Sequence, residues 1–363
     1  MSKEIYNIAL LPGDGIGPEV ANAAVDVLNA VAELHDIAFD YTSYRAGARL
    51  YSETGVSMAE EDMAALPQAD AILLGAMGLP SVRKPDGTEI APQIDIRERY
   101  GLVASLRPCK FFPGVPSRIN HPDRVDMLVI RELTEGLFAG RHDILKPSND
   151  TSSDRLVISR AGCEKLFKIA FEQARFRRST HGTPGHVTLL DKANVLRSNA
   201  FMRAIFDEVA QQYPDIQNTH LYIDAGSMMF VTNPERYDVV VTENVFGDIA
   251  SEIAAGVVGG LGVAPSADIN DKMAVFQPSH GTAPDIAGQD IANPVATILS
   301  AGMLLDWLAE QHSDPRCSAA AALLRSAVAE VLQSGPRTRD IGGTAGTREV
   351  TSAIVQALDK VAA

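Results

Sequence analysis

The amino-acid sequence predicts an α/β protein of two domains, in which helices flank a sheet. Strand-like and helix-like runs alternate through the first 80 residues, which is the pattern of an α/β domain. The chain has 363 residues, more than one ordinary hydrophobic core accommodates, so two domains are expected. Hydrophobic residues make up 46% of the chain and charged residues 21%, which favours a globular protein.

Apolar runs separated by turn residues predict the elements of the N-terminal part. Strands are expected at 6–11, 38–41 and 70–75, with a helix at about 19–34. The turn after the first strand has the spacing G-x-G-x-G, not the G-x-G-x-x-G of dinucleotide-binding folds, and Pro18 stands where that fingerprint requires helix. We therefore interpret it as a tight turn.

Polar, irregular sequence separates this part from a helical C-terminal region. Residues 148–154 are expected to form a protruding arm and 182–185 a surface turn. A helix is expected between them, at about 160–177. The C-terminal helices are predicted near 293–311, 318–333 and 347–361, with a glycine-rich loop before the last one.

Charge and cysteine content exclude several classes of protein. The net charge of −14 argues against nucleic acid or an anionic membrane as a partner. No apolar stretch reaches the roughly 20 residues that a membrane span needs. Cys109, Cys163 and Cys317 lack C-x-x-C spacing, which disfavours a structural zinc site or a disulfide framework. Without an apolar leader at the N-terminus, a cytoplasmic location is expected.

Acidic residues follow two predicted strands in the middle of the chain. The apolar run 238–242 leads into a helical segment with Asp248 and Glu252, four residues apart and therefore on one face. A second strand-like run, 221–223, ends in Asp224. Carboxylates near strand ends suit a hard divalent cation such as magnesium. A solvated helix face is the alternative for an acid pair with this spacing.

Basic residues indicate an anionic substrate. Arg97, Arg107 and Arg131 are expected at element ends, where guanidiniums can bind two carboxylates through paired hydrogen bonds. Beside the acidic set they predict a dicarboxylate or tricarboxylate, whereas single arginines are ordinary surface residues. Lys192 follows the apolar run 186–190, where desolvation and nearby positive charge ease loss of its proton and suit a general base. A lysine that simply leaves the core is the alternative.

Five motifs, in family order, closely resemble those of the β-decarboxylating dehydrogenases, which include isopropylmalate, isocitrate, homoisocitrate, D-malate and tartrate dehydrogenases. The motifs occupy 11–19, 191–194, 241–248, 280–288 and 291–294, and the resemblance covers essentially the whole chain. It implies two α/β domains with a large mixed sheet, not a Rossmann fold.

The resemblance also implies a domain arrangement and a homodimer. The first domain, on the cofactor side, would comprise 1–102 and 259–363. The second domain would comprise 103–258 and carry the dimer interface, with an arm near 140–160 that clasps the partner subunit. The two active sites would be shared between the subunits.

Roles for the candidate residues follow from the same resemblance. The substrate carboxylates would be held by Arg97, Arg107 and Arg131. Magnesium or manganese would be held by Asp224, Asp248 and Glu252. Lys192, as the base, and Asp224 would be the catalytic residues, both contributed by the second subunit. The cofactor would be bound by His280, Gly281, Ala283, Asp285, Asn293 and Asn194. Asp285 would accept from the ribose hydroxyls and repel a 2′-phosphate, so NAD is expected rather than NADP.

The implied reaction oxidises a 3-substituted malate at C2 and then releases carbon dioxide. The family's general acid is a tyrosine seven residues after the arginine that matches Arg131, and here Phe138 has no hydroxyl. We expect water or Lys192 to supply the proton; slow decarboxylation or arrest after oxidation are the alternatives. Phe138 also supports a second hypothesis, because some relatives are catalytically impaired regulatory subunits.

Other departures concern the substrate and the cofactor. Glu252 replaces the usual aspartate, and Gln277 replaces a common glutamate near the cofactor. Gln93 and Ile94 stand where isopropylmalate enzymes line the alkyl pocket with leucines, and together with Phe138 they are expected to contact the substrate. The chain length and the loop 342–347 most resemble the isopropylmalate branch, with a D-malate, tartrate or isocitrate type of substrate as the alternative.

Overall fold

The computed structural model of the chain describes residues 5–141 and 150–362. These residues form ten strands and eleven α-helices. The strands are β1 Tyr6–Gly13, β2 Phe39–Ser43, β3 Ala71–Ala76, β4 Ala104–Lys110, β5 Asp126–Glu132, β6 His186–Asp191, β7 Gln217–Tyr222, β8 Val239–Thr242, β9 Pro265–Ile269 and β10 Ala274–Pro278. The helices are α1 Gly17–Glu33, α2 Ala48–Thr54, α3 Glu60–Ala65, α4 Pro92–Tyr100, α5 Arg160–His181, α6 Arg197–Ala210, α7 Ile223–Thr232, α8 Asn244–Val258, α9 Val295–His312, α10 Pro315–Ser334 and α11 Thr347–Ala362.

The predicted fold class is confirmed, since the ten strands make a large mixed sheet with helices packed on it. The chain divides into two compact units. Unit 1 comprises Met1–Tyr100, Phe112–Ser117 and Gly259–Ala363. Unit 2 comprises Gly101–Phe111 and Arg118–Val258. Part of the predicted arm, residues 142–149, lies outside the described residues.

Unit 1 contributes the strands β2-β1-β3-β10-β9 in that order. They pair in parallel except β9 and β10, which are antiparallel. All six residues of β3 are buried, and helices α1 and α9 both pack on this strand. The three predicted C-terminal helices are confirmed as α9, α10 and α11.

The turn after β1 is tight, as predicted. Gly15 has a φ of +57°, and a Cβ there would lie 2.0 Å from the carbonyl oxygen of Thr282, so the position requires glycine. The helix predicted from about residue 19 begins two residues earlier. Helix α1 begins at Gly17 and takes Pro18 into its first turn, where a backbone N–H has no intrahelical partner to lose.

Unit 2 contributes the strands β4-β5-β8-β6-β7 in that order. Strand β4 is antiparallel to β5, and the other neighbours pair in parallel. All four residues of β8 are buried, because helices cover the sheet and leave the valines of this strand no water on either face. In the described segments 5–141 and 150–362, no helix combines the length and apolar character of a membrane span.

Candidate functional site

The candidate site of unit 2 lies where its parallel strands end. In the sheet register Arg131 of β5 is opposite Thr242 of β8, and Leu190 of β6 is opposite the same threonine. Asp191 of β6 is opposite Tyr222 of β7. The carboxyl ends of four strands therefore meet along one edge, the position at which open α/β sheets bind ligands.

Asp248 joins two of the predicted substrate-binding arginines. Arg131 Nη1 donates to Asp248 Oδ1, and Arg107 Nη1 lies 3.5 Å from the same oxygen. Both guanidiniums are buried, whereas the Asp248 side chain is 44% exposed. The pair of arginines with one carboxylate between them is an anion-binding arrangement already in contact with solvent.

Two neutral residues of unit 2 fix these guanidiniums. Asn244 Oδ1 accepts from Arg131 Nε at 3.1 Å and from Nη2 at 2.8 Å. Ser251 Oγ accepts from Arg107 Nη1 at 2.7 Å. Both residues lie on α8, the helix that also carries Asp248. One helix therefore supplies the neutral supports and the acid. The prediction that the arginines stand at element ends was wrong for Arg107, which lies in the middle of β4.

Close packing against α8 holds Arg131 in place. A Cβ at Gly247 would lie 2.7 Å from Arg131 Cβ, so a larger residue would push the helix off the strand. Phe138, in a short 3-10 turn, has its ring centroid 5.4 Å from Arg131 Cζ. Phe138 is therefore next to a predicted substrate ligand.

Glu252 lies one helical turn after Asp248 and is exposed. The pKa of its carboxyl is raised, mainly because neighbouring protein atoms displace part of its water. The charge of Asp248 raises it further, while Arg107 and Arg131 oppose the shift. The prediction that both acids share one face of the helix is borne out by α8.

Lys192 and Asp224 form a separate pair at the same edge of the sheet. Lys192 Nζ lies 2.8 Å from Asp224 Oδ1, and this hydrogen bond is the main reason that the pKa of Asp224 is lowered. Lys192 directly follows β6, as predicted. The strand before Asp224 ends one residue earlier than predicted, since β7 ends at Tyr222 and Asp224 lies in the first turn of α7. Asn194 is exposed in the turn after Lys192.

The three predicted metal ligands are not assembled within one protomer. Across residues 5–141 and 150–362, no three His, Cys, Asp or Glu side chains gather as a cation would require. Asp248 contacts arginines, and Asp224 contacts Lys192. Carboxylate oxygens nevertheless suit magnesium or manganese, and both aspartates are partly exposed. The chemistry of the ligands fits the ion, and the prediction that the set draws on a second subunit stays a prediction.

In unit 1, helix α4 carries the remaining substrate candidates. Arg97 is buried and its Nε donates to Asp268 Oδ2 at 2.7 Å. Gln93 lies four residues earlier and therefore on the same face of α4. Its Oε1 is buried and has no hydrogen-bond partner within the described residues. Ile94 is half-buried beside it.

The predicted cofactor residues of unit 1 lie in the loop before α9. His280 Nδ1 lies 2.9 Å from the Gly281 carbonyl oxygen, and burial lowers the pKa of its imidazole. In the described part of the chain the buried His280 Nε2 has no partner, so it is available to a ligand. Asp285 is exposed, and a Cβ at Gly281 would meet no atom within 4 Å. These features fit a bound nucleotide.

Two other residues of this loop have structural contacts. Asn293 donates through Nδ2 to Asp340 Oδ2 at 2.9 Å, and its Oδ1 accepts from the Val295 amide at 3.0 Å. Its amide is thus engaged by the protein at both ends. Ala283 has a φ of +35° and packs in a small apolar cluster of unit 1 with Ile16.

Sequence reasoning missed Asn244, Ser251 and Asp268, each of which contacts a predicted arginine. Asn244 and Ser251 lie in the same predicted helix as Asp248. A search of that helix for further polar residues could have found them. Asp268 stands inside an apolar strand, and a charged residue there is itself a signal, because buried acids need a partner.

A family model described as isocitrate/isopropylmalate dehydrogenase matches residues 7–357. A 3-isopropylmalate dehydrogenase of Carboxydothermus hydrogenoformans is 40% identical over 348 residues, covering 93% of this chain and 89% of that protein. A 3-isopropylmalate/3-methylmalate dehydrogenase of Methanocaldococcus jannaschii is 40% identical over 355 residues, covering 97% and 98%. The crystal structure of isocitrate dehydrogenase from Methylococcus capsulatus aligns with a TM-score of 0.85 at 32% identity, covering 97% of this chain and 99% of that one.

Proposed function

Because the chain belongs to the isocitrate/isopropylmalate dehydrogenase family, we propose that it oxidises and decarboxylates a 3-substituted malate, using NAD and a divalent cation. Relatives named 3-isopropylmalate dehydrogenase support an isopropylmalate type of substrate. The observation that carries the proposal is the contact of Asp248 with Arg107 and Arg131 at the carboxyl edge of the unit 2 strands. This arrangement has the charge and position for an anionic hydroxy acid.

Three guanidiniums bind the substrate carboxylates in this proposal. Arg107 and Arg131 are buried and already contact a carboxylate, and Arg97 is held in unit 1 by Asp268. Buried guanidiniums bind anions more strongly than exposed ones, because little water competes for the charge. The scaffold positions them before substrate arrives, which lowers the entropic cost of binding.

Lys192 is the proposed proton acceptor for the C2 hydroxyl. Asp224 holds its ammonium group at 2.8 Å, which orients the nitrogen. NAD, bound beside His280 and Asp285, would take the hydride, and a divalent cation on Asp224, Asp248 and Glu252 would supply Lewis-acid stabilisation of negative charge. Phe138 cannot donate a proton, so water or Lys192 reprotonates the product carbon.

An exposed apolar surface supports the proposed homodimer with shared active sites. Met228 and Val231 of α7 and Ile249 of α8 have more than half of their area exposed, at 57%, 55% and 55%. Helices α7 and α8 pack on each other, and Ile249 directly follows Asp248. A second copy that covers this surface would bury apolar groups next to the acidic set.

One observation favours a second candidate substrate. A pocket for an isopropyl group would have an apolar residue at position 93. Gln93 stands there instead, and its buried Oε1 has no hydrogen-bond partner in the described residues. A buried acceptor of this kind is stabilised by a ligand that donates a hydrogen bond. A malate with a polar group at C3 is therefore the alternative to an isopropyl substituent.

The decisive experiment uses the purified chain alone. NADH formation and carbon dioxide release are measured with magnesium over 3-isopropylmalate, 3-methylmalate, D-malate, tartrate and isocitrate, before and after treatment with EDTA. We expect magnesium-dependent turnover of at least one of these acids. Binding of the acids without any turnover would instead support a regulatory subunit.

The three cysteines are buried free thiols, which favours function in a reducing compartment such as the cytoplasm.

A further inference from the structure

Asp268 forms a buried cluster with Arg97 and Gln277 in unit 1. Asp268 Oδ2 accepts from Arg97 Nε at 2.7 Å and from Gln277 Nε2 at 2.6 Å. Asp268 is 1% exposed, and the other two residues are also buried. One carboxylate oxygen thus receives two hydrogen bonds, one from a charged donor.

The strand register explains how the cluster forms. Strands β9 and β10 are antiparallel, with Asp268 opposite Val275 and Ser266 opposite Gln277. Asp268 and Gln277 are therefore diagonal neighbours on one face of the hairpin. A second contact fixes α4 to this hairpin, since Asn270 Nδ2 donates to the Tyr100 carbonyl oxygen at 2.7 Å. The position of Arg97 relative to Asp268 is set by the fold of unit 1.

A buried ion pair in unit 2 shows what a structural pair looks like in this protein. Arg177 Nε donates to Asp238 Oδ1, and its Nη2 donates to the carbonyl and carboxylate oxygens of Asp126. The other oxygen of Asp238 accepts from the amides of Gly185 and His186. Both oxygens of this carboxylate are bonded within the protein, and the guanidinium is bonded through Nε and one terminal nitrogen, Nη2.

The Arg97–Asp268 pair differs from it at both partners. Within residues 5–141 and 150–362, Asp268 Oδ1 is buried without a hydrogen-bond partner. Over the same residues Arg97 is bonded only through Nε, so its terminal nitrogens Nη1 and Nη2 remain for another acceptor. The large majority of buried side-chain polar atoms in proteins have a hydrogen-bond partner. The incomplete bonding indicates that this cluster serves a ligand.

We propose that Asp268, supported by Gln277, is a positioning residue that fixes Arg97 by its Nε and presents Nη1 and Nη2 as a fork to a substrate carboxylate. The inference rests on the proposed function, in which Arg97 binds the substrate. It also accounts for the replacement of glutamate by Gln277, because a second carboxylate beside Asp268 would repel it, whereas the amide donates to it.

The test compares Asp268→Ala with Asp268→Asn, since asparagine retains an oxygen that can accept from Arg97 Nε. We expect Asp268→Ala to raise KM for the best hydroxy-acid substrate about ten- to a hundredfold, the effect of losing a hydrogen bond to a charged group. The kcat and the KM for NAD should change less than about threefold, because the chemical groups remain. Asp268→Asn should restore most of the substrate KM.

A control variant and a milder variant keep the test decisive. Asp238→Asn alters the buried pair at the start of β8, away from the carboxyl edge, and should lower Tm without changing KM. If Asp268→Ala does not fold, Gln277→Met retains the Arg97–Asp268 bond and should raise KM about two- to fivefold. An unchanged or lowered KM for the hydroxy acid in the folded Asp268 or Gln277 variants would overturn the proposal. Asp268 would then only neutralise the charge of Arg97 without orienting it.

A spectroscopic measurement separates this inference from the proposed function. In protein labelled with 15N-arginine, the Nε–Hε signal of Arg97 is identified by its loss in Arg97→Lys. We expect it to be protected from exchange in the parent chain and in Asp268→Asn, and unprotected in Asp268→Ala. Equal protection in Asp268→Ala would refute the positioning role. Absence of turnover in the parent chain would refute the proposed function alone.

Discussion

Lys192 and Asp224 meet at the ends of two neighbouring parallel strands, with 2.8 Å between the ammonium nitrogen and a carboxylate oxygen. Asp191 and Tyr222 are opposite each other in β6 and β7, so the residues just beyond them emerge side by side. Asp248, on α8, is bonded to arginines of the same unit. One protomer therefore contains two sets of polar residues, the Lys192–Asp224 pair and Asp248 with its arginines. In the proposed dimer, the Lys192–Asp224 pair of one subunit would lie beside Asp248 of the other.

Mixing two inactive variants tests whether active sites are shared. Lys192→Met and Asp248→Asn should each abolish turnover, because one removes the base and the other a proposed cation ligand. Subunit exchange between them should restore about a quarter of the parent activity, since half of the dimers then contain one intact site of two. The measurement is NADH formation after refolding the mixed chains.

The control mixes Lys192→Met with Asp224→Asn. Under the proposal both of these residues come from the same subunit, so no mixed dimer contains an intact site. Activity in this mixture, or none in the first, would contradict a site built from Lys192 and Asp224 of one chain with Asp248 of another.

Restoring a hydroxyl at Phe138 should speed decarboxylation. The ring lies 5.4 Å from Arg131 Cζ, so Phe138→Tyr would introduce a proton donor beside a proposed substrate ligand. General acid assistance is typically worth about 100- to 10,000-fold, and where protonation limits turnover we expect at least a tenfold increase in carbon dioxide release. The surface variant Phe201→Tyr is the control. An unchanged steady-state rate of carbon dioxide release in Phe138→Tyr would show that Phe138 does not limit turnover.

Asp285 should determine the preference for NAD over NADP. It is exposed in the loop after His280, and under the proposal its carboxylate would repel a 2′-phosphate. We expect Asp285→Lys to shift the ratio of kcat/KM for NADP over NAD upward about ten- to a hundredfold. Asp271→Lys makes the same charge change at another exposed site of unit 1 and should leave the ratio unchanged. An equal shift in both variants would show that the preference depends on the net charge of the protein and not on the position of Asp285.

Asp314 should make unit 1 sensitive to acid. Hydrogen bonds from Arg316 are the main cause that lowers the pKa of this carboxyl from 3.8 to about 2, and Tyr6 Oη also donates to it. Because the pKa is lower in the folded chain, the stabilisation is complete above about pH 4 and is lost as the pH falls towards 2. Urea midpoints between pH 2 and 7 should fall less steeply with acid in Asp314→Asn than in the parent. The exposed Asp359→Asn should follow the parent curve.

The sequence indicated the elements of the fold because apolar runs and their periodicity are local properties. Strand ends at Arg131 and Lys192 could be predicted in this way, and the family motifs supplied the fold class. The hydrogen-bond partners of the arginines could not be predicted, because they lie on segments that are distant in the sequence. Arg131 and Asn244 are separated by 113 positions, and Arg97 and Asp268 by 171. The predicted end of β7 differs from the observed one by one residue. This error has a local cause, since apolar residues continue from the strand into α7.

The carboxylate between Arg107 and Arg131 has an energetic consequence for the first step of binding. An incoming hydroxy acid does not meet two vacant cations but displaces an internal anion, so affinity reflects the difference between the old partner and the new one. A monovalent anion gains little from such an exchange. In the protein without the cation, we therefore expect this exchange to favour doubly charged acids.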